Sequence, residues 1–201
     1  MTPKSPQTVR QTDSDWQGFL KLARQVSETI GTEFLSMLAH QLAGVLEAKC
    51  VYIGEFLGGK ADRVRPIAAF VEGGQPEAFE FPLAGSPDAE VGGGGSCVHP
   101  KAVREMFPGD SLLRDLEAEA WVGVPLNNAE GQVSGTIAAI YGQPLQMEVH
   151  LVQSMLMMFA PRASAELNRK QAEDALRESE QRYRAFVQMN SWTASAGWQR
   201  E

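Results

Sequence analysis

Two apolar segments in the second half of the chain constrain the fold more than any other feature. Residues 120–126 read AWVGVPL and residues 132–141 read QVSGTIAAIY, with the turn-forming sequence NNAEG between them. Apolar residues occupy both alternating sides of each segment, which is typical of strands with two buried faces. Such strands must be covered from both sides. The sequence therefore predicts a sheet that lies between two layers of other structure.

Strand patterns also occur in the first half of the chain. Residues 49–57 (KCVYIGEFL) and 63–71 (RVRPIAAFV) are separated by the turn-type sequence GGKAD, which predicts a hairpin. Pro66 cannot donate a ladder hydrogen bond, so it marks either a sheet edge or a bulge. A third, short strand is predicted at residues 79–83.

Helical patterns flank the strands at both ends. Apolar residues recur at intervals of three and four over residues 16–47, which predicts one broken helix or two stacked helices. Gly31 marks the interruption, and Thr32 is the predicted N-cap of the second segment. A second helical pattern runs over residues 147–189. This order of elements predicts an α+β fold with a central, mostly antiparallel sheet.

Residues 84–110 separate the strands with loops and short helices. Ser86 is predicted to cap a short helix with Pro87 at its first position, and four glycines from Gly92 onward end that helix. Asp110 is predicted to cap the next helix. Irregular segments of this length are uncommon in compact domains, so we expect this one to cover the sheet or to carry function.

The charge balance argues against one large class of function. The chain of 201 residues carries 25 acidic and 18 basic side chains, a net charge of −7, and no basic cluster. Because neutralisation of phosphates dominates nucleic-acid affinity, we expect no nucleic-acid binding.

The sequence predicts neither secretion nor membrane insertion. Residues 1–14 are polar and lack the apolar core of a secretory signal, so they are interpreted as a disordered lead. No apolar run approaches the roughly 18 residues that a bilayer requires. Cys50 and Cys97 are too few for a disulfide framework. These features predict a cytoplasmic protein with reduced thiols and no membrane contact.

The segment LAGSPDAEVGGGGSCVHPKAVREMFPGDSLLRDLEAEAWVGVPLNNAEGQVSGTIAAIYGQPL resembles the second half of a GAF domain. The matching features are a short helix after Ser86-Pro87, Phe107-Pro108 with Asp110, the strand at 121–126, the turn at Gly131 and the strand at 135–140. The following sequence FAPRASAELNRKQAEDALRESEQRYRAF resembles the signalling helix that joins a GAF domain to a PAS domain.

The resemblance implies a GAF-type α+β fold with a central, mostly antiparallel sheet. Terminal helices would cover one face, and short helices and loops of residues 84–118, here called the roof, would cover a small-molecule pocket on the other. The GAF domain would span residues 15–160, and a signalling coiled-coil helix would follow over 161–189. Residues 190–201 would be a truncated tail that begins a missing PAS domain.

GAF domains of this kind are regulatory modules of bacterial sensor histidine kinases and diguanylate cyclases. The sequence contains no kinase, cyclase or phosphodiesterase motif, so the chain is predicted not to be an enzyme. It would sense a small molecule and pass the ligand state through a dimeric helix to a downstream output domain or kinase of a two-component system. An N-terminal fragment of a sensor histidine kinase is a related alternative. Pro161 departs from the family pattern and predicts a bend in the helix.

Six side chains of the roof and its neighbouring strands are candidates for contact with the unidentified small molecule. They are Phe81, Ser86, Cys97, His99, Phe107 and Trp121. Trp121 is equally compatible with ordinary core packing. Because the polar members are few and scattered, a ligand-free GAF scaffold for dimerisation and spacing stays an alternative. No cofactor is identifiable.

Cys97 and His99 form the single cluster of soft metal ligands in the sequence. Two ligands fall short of the four that a metal ion prefers, so no metal site is predicted. A bilin thioether to Cys97 would need an Arg-rich aromatic pocket that is not evident. A thiol-based reductase would need basic groups to activate Cys97, and Lys101 and Arg104 are near in sequence.

The end of the long helical pattern predicts a dimer. Apolar residues recur there at alternating intervals of three and four, which is the seam of a coiled coil with weak side chains. The candidate seam residues are Leu176, Tyr183 and Phe186, together with Phe19, Leu22 and Val26 of the first helix. We therefore expect a homodimer that pairs through its terminal helices.

Overall fold

The computed structural model describes residues 31–58, 62–74 and 80–196, with side chains up to residue 186. Within these ranges six strands form one antiparallel sheet in the order β3-β2-β1-β6-β5-β4. The strands are β1 (Cys50–Leu57), β2 (Arg63–Val71), β3 (Phe81–Pro82), β4 (Cys97–His99), β5 (Ala120–Asn127) and β6 (Val133–Tyr141). The helices are α1 (Thr32–Leu46), α2 (Asp88–Gly92), α3 (Val103–Met106), α4 (Ser111–Asp115) and α5 (Val149–Ala196).

The structure confirms the predicted hairpin of β1 and β2, pairs β5 and β6 as a second hairpin, and adds one element. The register between β1 and β2 shifts beside Pro66, where Ile67 is the extra residue of a bulge. Because proline has no N–H, it cannot donate a hydrogen bond to the neighbouring strand. Beside a bulge the regular pairing is interrupted, so no carbonyl of that strand loses its donor. The added element is β4, a three-residue edge strand that the sequence had placed in an irregular segment.

The sheet is covered on both faces, as the apolar strands require. Helix α1 and the first half of α5 form one hydrophobic core with the sheet, and the roof forms a second core on the opposite face. Side chains of strand β5 point alternately to the two faces of the sheet. Val122 and Val124 belong to the core beneath α1 and α5, and Trp121 belongs to the roof core.

The helix caps agree with the sequence in one case out of three. Asp110 accepts a hydrogen bond of 3.1 Å from the Leu113 N–H, as predicted. Thr32 is not an N-cap, because α1 begins at Thr32 itself and Gly31 precedes it. The prediction that Ser86 caps α2 is also wrong. The Ser86 hydroxyl donates to the Leu83 carbonyl at 2.8 Å, and α2 begins after Pro87.

Helix α5 is one element of 48 residues that continues through Pro161. Its first half is buried on the sheet by residues that include Val152, Leu156 and Leu167, whereas residues 172–186 are exposed. The helix therefore crosses the predicted boundary between residues 160 and 161 without interruption and extends past residue 189. The division into domains and the bend at Pro161 stay predictions.

Several predictions fall on residues that the structure does not describe. The disordered lead at residues 1–14 and the candidate seam residues Phe19, Leu22 and Val26 lie outside the described ranges. None of the helices within those ranges is both long enough and apolar enough to cross a membrane.

Candidate functional site

Two carboxylates connect the short roof helix α2 to the sheet. Asp88 reaches the central strand β1, and Glu90 reaches the edge strand β4. Val91, on the same helix, is fully buried in the roof core. Helix α2 is therefore held at two separate points by polar contacts, with an apolar anchor near them.

The first contact is a buried polar network in the middle of the sheet. The Tyr52 hydroxyl donates to Asp88 Oδ2 at 2.6 Å, and Trp121 Nε1 donates to the same hydroxyl oxygen at 3.4 Å. All three side chains are at most 1% exposed. Asp88 Oδ1 has no hydrogen-bond partner among the described residues. A buried oxygen without a donor is costly, so this network is only partly satisfied.

Burial changes the protonation of this network. It raises the pKa of Asp88 to about 7, although the hydrogen bond from Tyr52 opposes the change. Burial, with the negative charge of Asp88, also raises the pKa of Tyr52 well above its usual range. The carboxyl of Asp88 thus exchanges its proton near neutral pH while the phenol stays protonated.

The second contact is a cluster of Glu90, Cys97 and His99 at the sheet edge. Cys97 and His99 are two positions apart on β4, opposite Gly123 and Trp121, so both lie on the roof face. Cys97 Sγ is 2.6 Å from Glu90 Oε2 and 3.3 Å from His99 Nε2. His99 Nε2 is in turn 3.2 Å from Glu90 Oε2. A carboxylate oxygen, a thiol sulfur and an imidazole nitrogen, each of which can bind a metal ion, therefore lie close together.

The surroundings of this cluster fix the imidazole and keep the thiol protonated. His99 is 6% exposed, and the Phe107 ring meets its ring edge-on at 5.1 Å between centroids. Burial, together with the hydrogen bond to Glu90 and its negative charge, raises the pKa of Cys97 to about 12. An activated thiolate would need the opposite shift, so the structure disfavours the thiol-based reductase.

The structure brings four of the six candidate ligand residues together. His99 lies beside Cys97, Phe107 and Trp121, and its ring centroid is 6.3 Å from that of Trp121. Phe81 and Ser86 lie elsewhere. They line a separate cleft of about 30 Å³ with residues 109–111, which has room for a water molecule or two.

Buried apolar side chains of the roof core lie between the roof and the sheet. Trp121 is completely buried there, which matches its core interpretation, and its indole occupies the space where Gly123 has no side chain. A wider cleft of about 440 Å³ lies elsewhere, between Lys49, Glu72 and residues 141–144, 146 and 147. The Tyr141 hydroxyl, whose residue lines this cleft, is buried and has no hydrogen-bond partner among the described residues.

Sequence reasoning missed Tyr52, Asp88 and Glu90. Asp88 and Glu90 stand in the first turn of a helix, where acidic residues are common without any further role. Tyr52 occurs in an apolar strand, where an aromatic residue is ordinary. A tyrosine hydroxyl on a doubly covered strand does require a buried partner, and that was the one available signal.

Comparisons with solved structures identify the fold. The GAF domain of Acinetobacter phosphoenolpyruvate-protein phosphotransferase superposes with a TM-score of 0.64 at 16% identity, over 81% of this chain and 98% of that one. The NLH2 GAF domain of A. aeolicus, in an inactive state, gives 0.58 at 13%, over 81% and 99%. The chromophore-binding domain of an R. palustris bacteriophytochrome gives 0.64 at 12%, over 85% and 64%.

These likenesses show that the chain has the GAF fold, as the sequence predicted. No protein-family model matches the sequence, and no curated protein matches it. The fold is therefore identified by structural similarity alone.

Proposed function

We propose that this chain is a sensory regulatory module in which the state of the roof controls the pairing of helix α5. The catalytic output lies in another domain or partner, and the chain performs no chemistry of its own. The observation that carries the proposal is the different exposure of the two halves of α5. It is one helix that packs on the sheet with its first half and carries exposed apolar residues on its second half.

Contacts link the site to this helix. Gln153, in the first turns of α5, donates to the Ser96 hydroxyl at 3.1 Å, and Ser96 immediately precedes Cys97. Strand β5 touches the roof helix α2 and α5 as well. A displacement of the segment around Cys97 therefore reaches α5 through direct contact. A ligand that favours one arrangement of the roof shifts the population by its differential affinity.

The exposed half of α5 offers a surface for a second copy of the chain. Leu176, Tyr183 and Phe186 are each more than 60% exposed, at the intervals of a coiled-coil seam. Large apolar side chains in one row on a solvent-exposed helix indicate an interaction surface. We propose a homodimer that pairs along this row, so that a change of register carries the signal.

A small molecule as the signal is part of this proposal. Support comes from the structural neighbours, since bacteriophytochrome domains of this fold are described as chromophore-binding. The ligand of this chain stays unidentified. We further propose that it acts inside the cell as part of a two-component or related pathway.

A ligand-free scaffold for dimerisation is the second candidate. The observation in its favour is that the cleft lined by Phe81 and Ser86, two of the candidate ligand residues, holds only about 30 Å³. In that case α5 pairs in the same way, but the roof carries no variable state.

Disulfide cross-linking along α5 tests the proposal and separates it from the scaffold. We expect Ser179→Cys, on the seam, to form a cross-linked dimer much faster than Gln181→Cys, which lies on the opposite side of the helix, and faster than the unsubstituted chain. Equal rates for Ser179→Cys and Gln181→Cys would contradict pairing through the seam.

The same assay then reports on the roof. Tyr52→Phe removes the hydroxyl that binds Asp88 and so loosens α2 from the sheet. If the chain is a sensor, this variant changes the cross-linking rate at position 179. If the chain is a scaffold, the rate stays the same while circular dichroism shows an intact fold.

A further inference from the structure

We propose that Glu90, Cys97 and His99 form a binding site for one divalent transition-metal ion, Zn²⁺ in the first place. The ion would bind between helix α2 and strand β4 and would join the roof to the sheet edge. This inference is independent of the proposed function, because metal binding does not require α5 to pair.

The donor set favours zinc over the abundant hard cations. A thiolate sulfur, an imidazole nitrogen and a carboxylate oxygen are each established zinc ligands. Mg²⁺ and Ca²⁺ prefer sites made of oxygen alone, so the sulfur and nitrogen donors select against them. Three protein ligands leave one tetrahedral position for water or an exogenous donor, which is the pattern of an open zinc site.

The geometry requires only a small adjustment. Zn–S bonds of 2.3 Å and Zn–N or Zn–O bonds near 2.0–2.2 Å place tetrahedral ligand atoms about 3.3–3.6 Å apart. The Cys97–His99 and His99–Glu90 pairs are already at 3.3 and 3.2 Å. In the Cys97–Glu90 pair the thiol donates its proton to the carboxylate, and the sulfur and oxygen are only 2.6 Å apart. Zinc would displace that proton to solvent and move the sulfur and oxygen about 1 Å apart.

The two strand residues are held in place before the metal arrives. Cys97 and His99 are carried by β4 and pair with Gly123 and Trp121 of β5. The Phe107 ring packs edge-on against the imidazole. A ligand pair that is fixed by a sheet binds with little loss of conformational entropy.

Glu90 supplies the movable part of the site. Its side chain is 48% exposed, and the glycines at positions 92–95 follow two residues later. The carboxylate can therefore adjust to the ion without disturbing the core, and the ion is accessible from solvent. Metal binding would fix α2 relative to β4 and to Ser96, which accepts the hydrogen bond from Gln153 of α5.

Titration with Co²⁺ tests the site directly. The full chain, freed of any affinity tag, kept reduced and stripped with a chelator, is titrated with Co²⁺ while the near-ultraviolet thiolate-to-cobalt absorption is recorded. We expect saturation at one Co²⁺ per chain and displacement by one equivalent of Zn²⁺, which binds such sites more tightly. A spectrum without a saturable thiolate band would overturn the proposal.

Matched variants locate the ion. We expect Cys97→Ser to abolish the band and Glu90→Gln and His99→Ala to weaken binding at least about tenfold. Cys50→Ala and Glu105→Gln, which alter the other thiol and an exposed carboxylate, should bind like the unsubstituted chain. A band that persists in Cys97→Ser, or that disappears in Cys50→Ala, would place the ion elsewhere and refute the site.

Thermal unfolding provides a second readout. It does not require Cys97→Ser and His99→Ala, the variants on strand β4, to fold. Glu90 is exposed, so Glu90→Gln leaves the core intact. We expect Zn²⁺ to raise the unfolding midpoint of the unsubstituted chain and of Glu105→Gln, and to raise that of Glu90→Gln much less. Equal increases in all three proteins would contradict a role for Glu90.

Discussion

The Glu166 carboxylate, on α5, accepts a hydrogen bond of 3.0 Å from the backbone N–H of Gly31, which precedes α1. Both residues are buried, and they are 135 positions apart. Gly31 has a φ of 83°, a conformation that favours glycine, and because glycine has no side chain it cannot cap the helix itself. Arg169, one turn further along α5, also donates to Glu166 at 3.0 Å. A distant carboxylate thus satisfies the backbone at the beginning of α1.

Replacement of Glu166 by alanine should lower the free energy of unfolding by about 1–3 kcal/mol. The substitution leaves the buried N–H of Gly31 without its acceptor and removes one of the two carboxylates that pair with Arg169, the other being Glu173. Urea denaturation followed by circular dichroism measures the change. Glu178→Ala, at an exposed position of the same helix, is the control and should stay within about 0.5 kcal/mol. Equal losses for both variants would show that the contact with Gly31 contributes nothing.

The metal-free protein should lose stability as the pH rises from about 4 to 7. Asp88 has a pKa of about 7 in the folded protein and an ordinary value near 3.8 when unfolded. The folded state therefore keeps a proton that the unfolded state has already released, and this contribution is fully present only below pH 4. The loss is at most about 4 kcal/mol, the free-energy equivalent of this pKa difference.

Asp88→Asn should remove most of this pH dependence. Asparagine cannot ionise, so the variant should be more stable than the unsubstituted chain at pH 8 and no more stable at pH 4. Asp115→Asn, at an exposed position on α4, should reproduce the unsubstituted pH profile. Chemical denaturation at a series of pH values, with chelator present, gives both curves. A profile for Asp88→Asn that parallels the unsubstituted one would assign the dependence to another group.

Gly123→Ala should destabilise the fold by about 2–4 kcal/mol. A Cβ at this position of β5 would overlap the indole ring of Trp121, which is completely buried. Gly44→Ala is a suitable control, because that exposed position in α1 has no atom within 4 Å of the new Cβ. Alanine there should stabilise the helix by about 0.5–1 kcal/mol. Thermal unfolding of the two variants should therefore shift in opposite directions.

Alkylation should report the protonated state of Cys97 in the metal-free protein. Burial and the Glu90 carboxylate keep the pKa of this thiol near 12, so iodoacetamide should react with it far more slowly at pH 7 than with free cysteine. Glu90→Gln removes the negative charge and should increase the rate. Mass spectrometry of the peptide that contains Cys97 follows the reaction. A rate at pH 7 that exceeds that of free cysteine would revive the thiol-based reductase.

The strands of both hairpins were predictable because local chemistry determines them. Pro66 and the GGKAD turn specify the first hairpin, and NNAEG specifies the second. The two-faced apolar pattern of β5 and β6 also anticipated the double covering of the sheet. Asp110 was predictable as a cap because its bond to Leu113 spans only three residues.

The candidate site was only partly predictable because its contacts join distant segments. Nothing in the spacing of the chain indicates that Glu90 meets Cys97, since the strand that orients Cys97 is three residues long and follows four glycines. The cap of α1 was missed for the same reason, because its acceptor is Glu166 on another helix. Tertiary contacts of this kind override the local preferences from which caps and ligands are usually inferred.

The pairing of β1 with β6 in the middle of the sheet has a kinetic consequence. It joins Glu55 to Gly135 and so closes a loop of about 80 residues, whereas each hairpin joins near neighbours. Closing a long loop is slow, so we expect the hairpins to form early and their docking to limit the folding rate. The roof lies inside that loop, so we expect it to assemble after the loop closes. We expect the layer that forms last to open before the rest of the fold does, which hydrogen exchange at the backbone amides of the roof would detect.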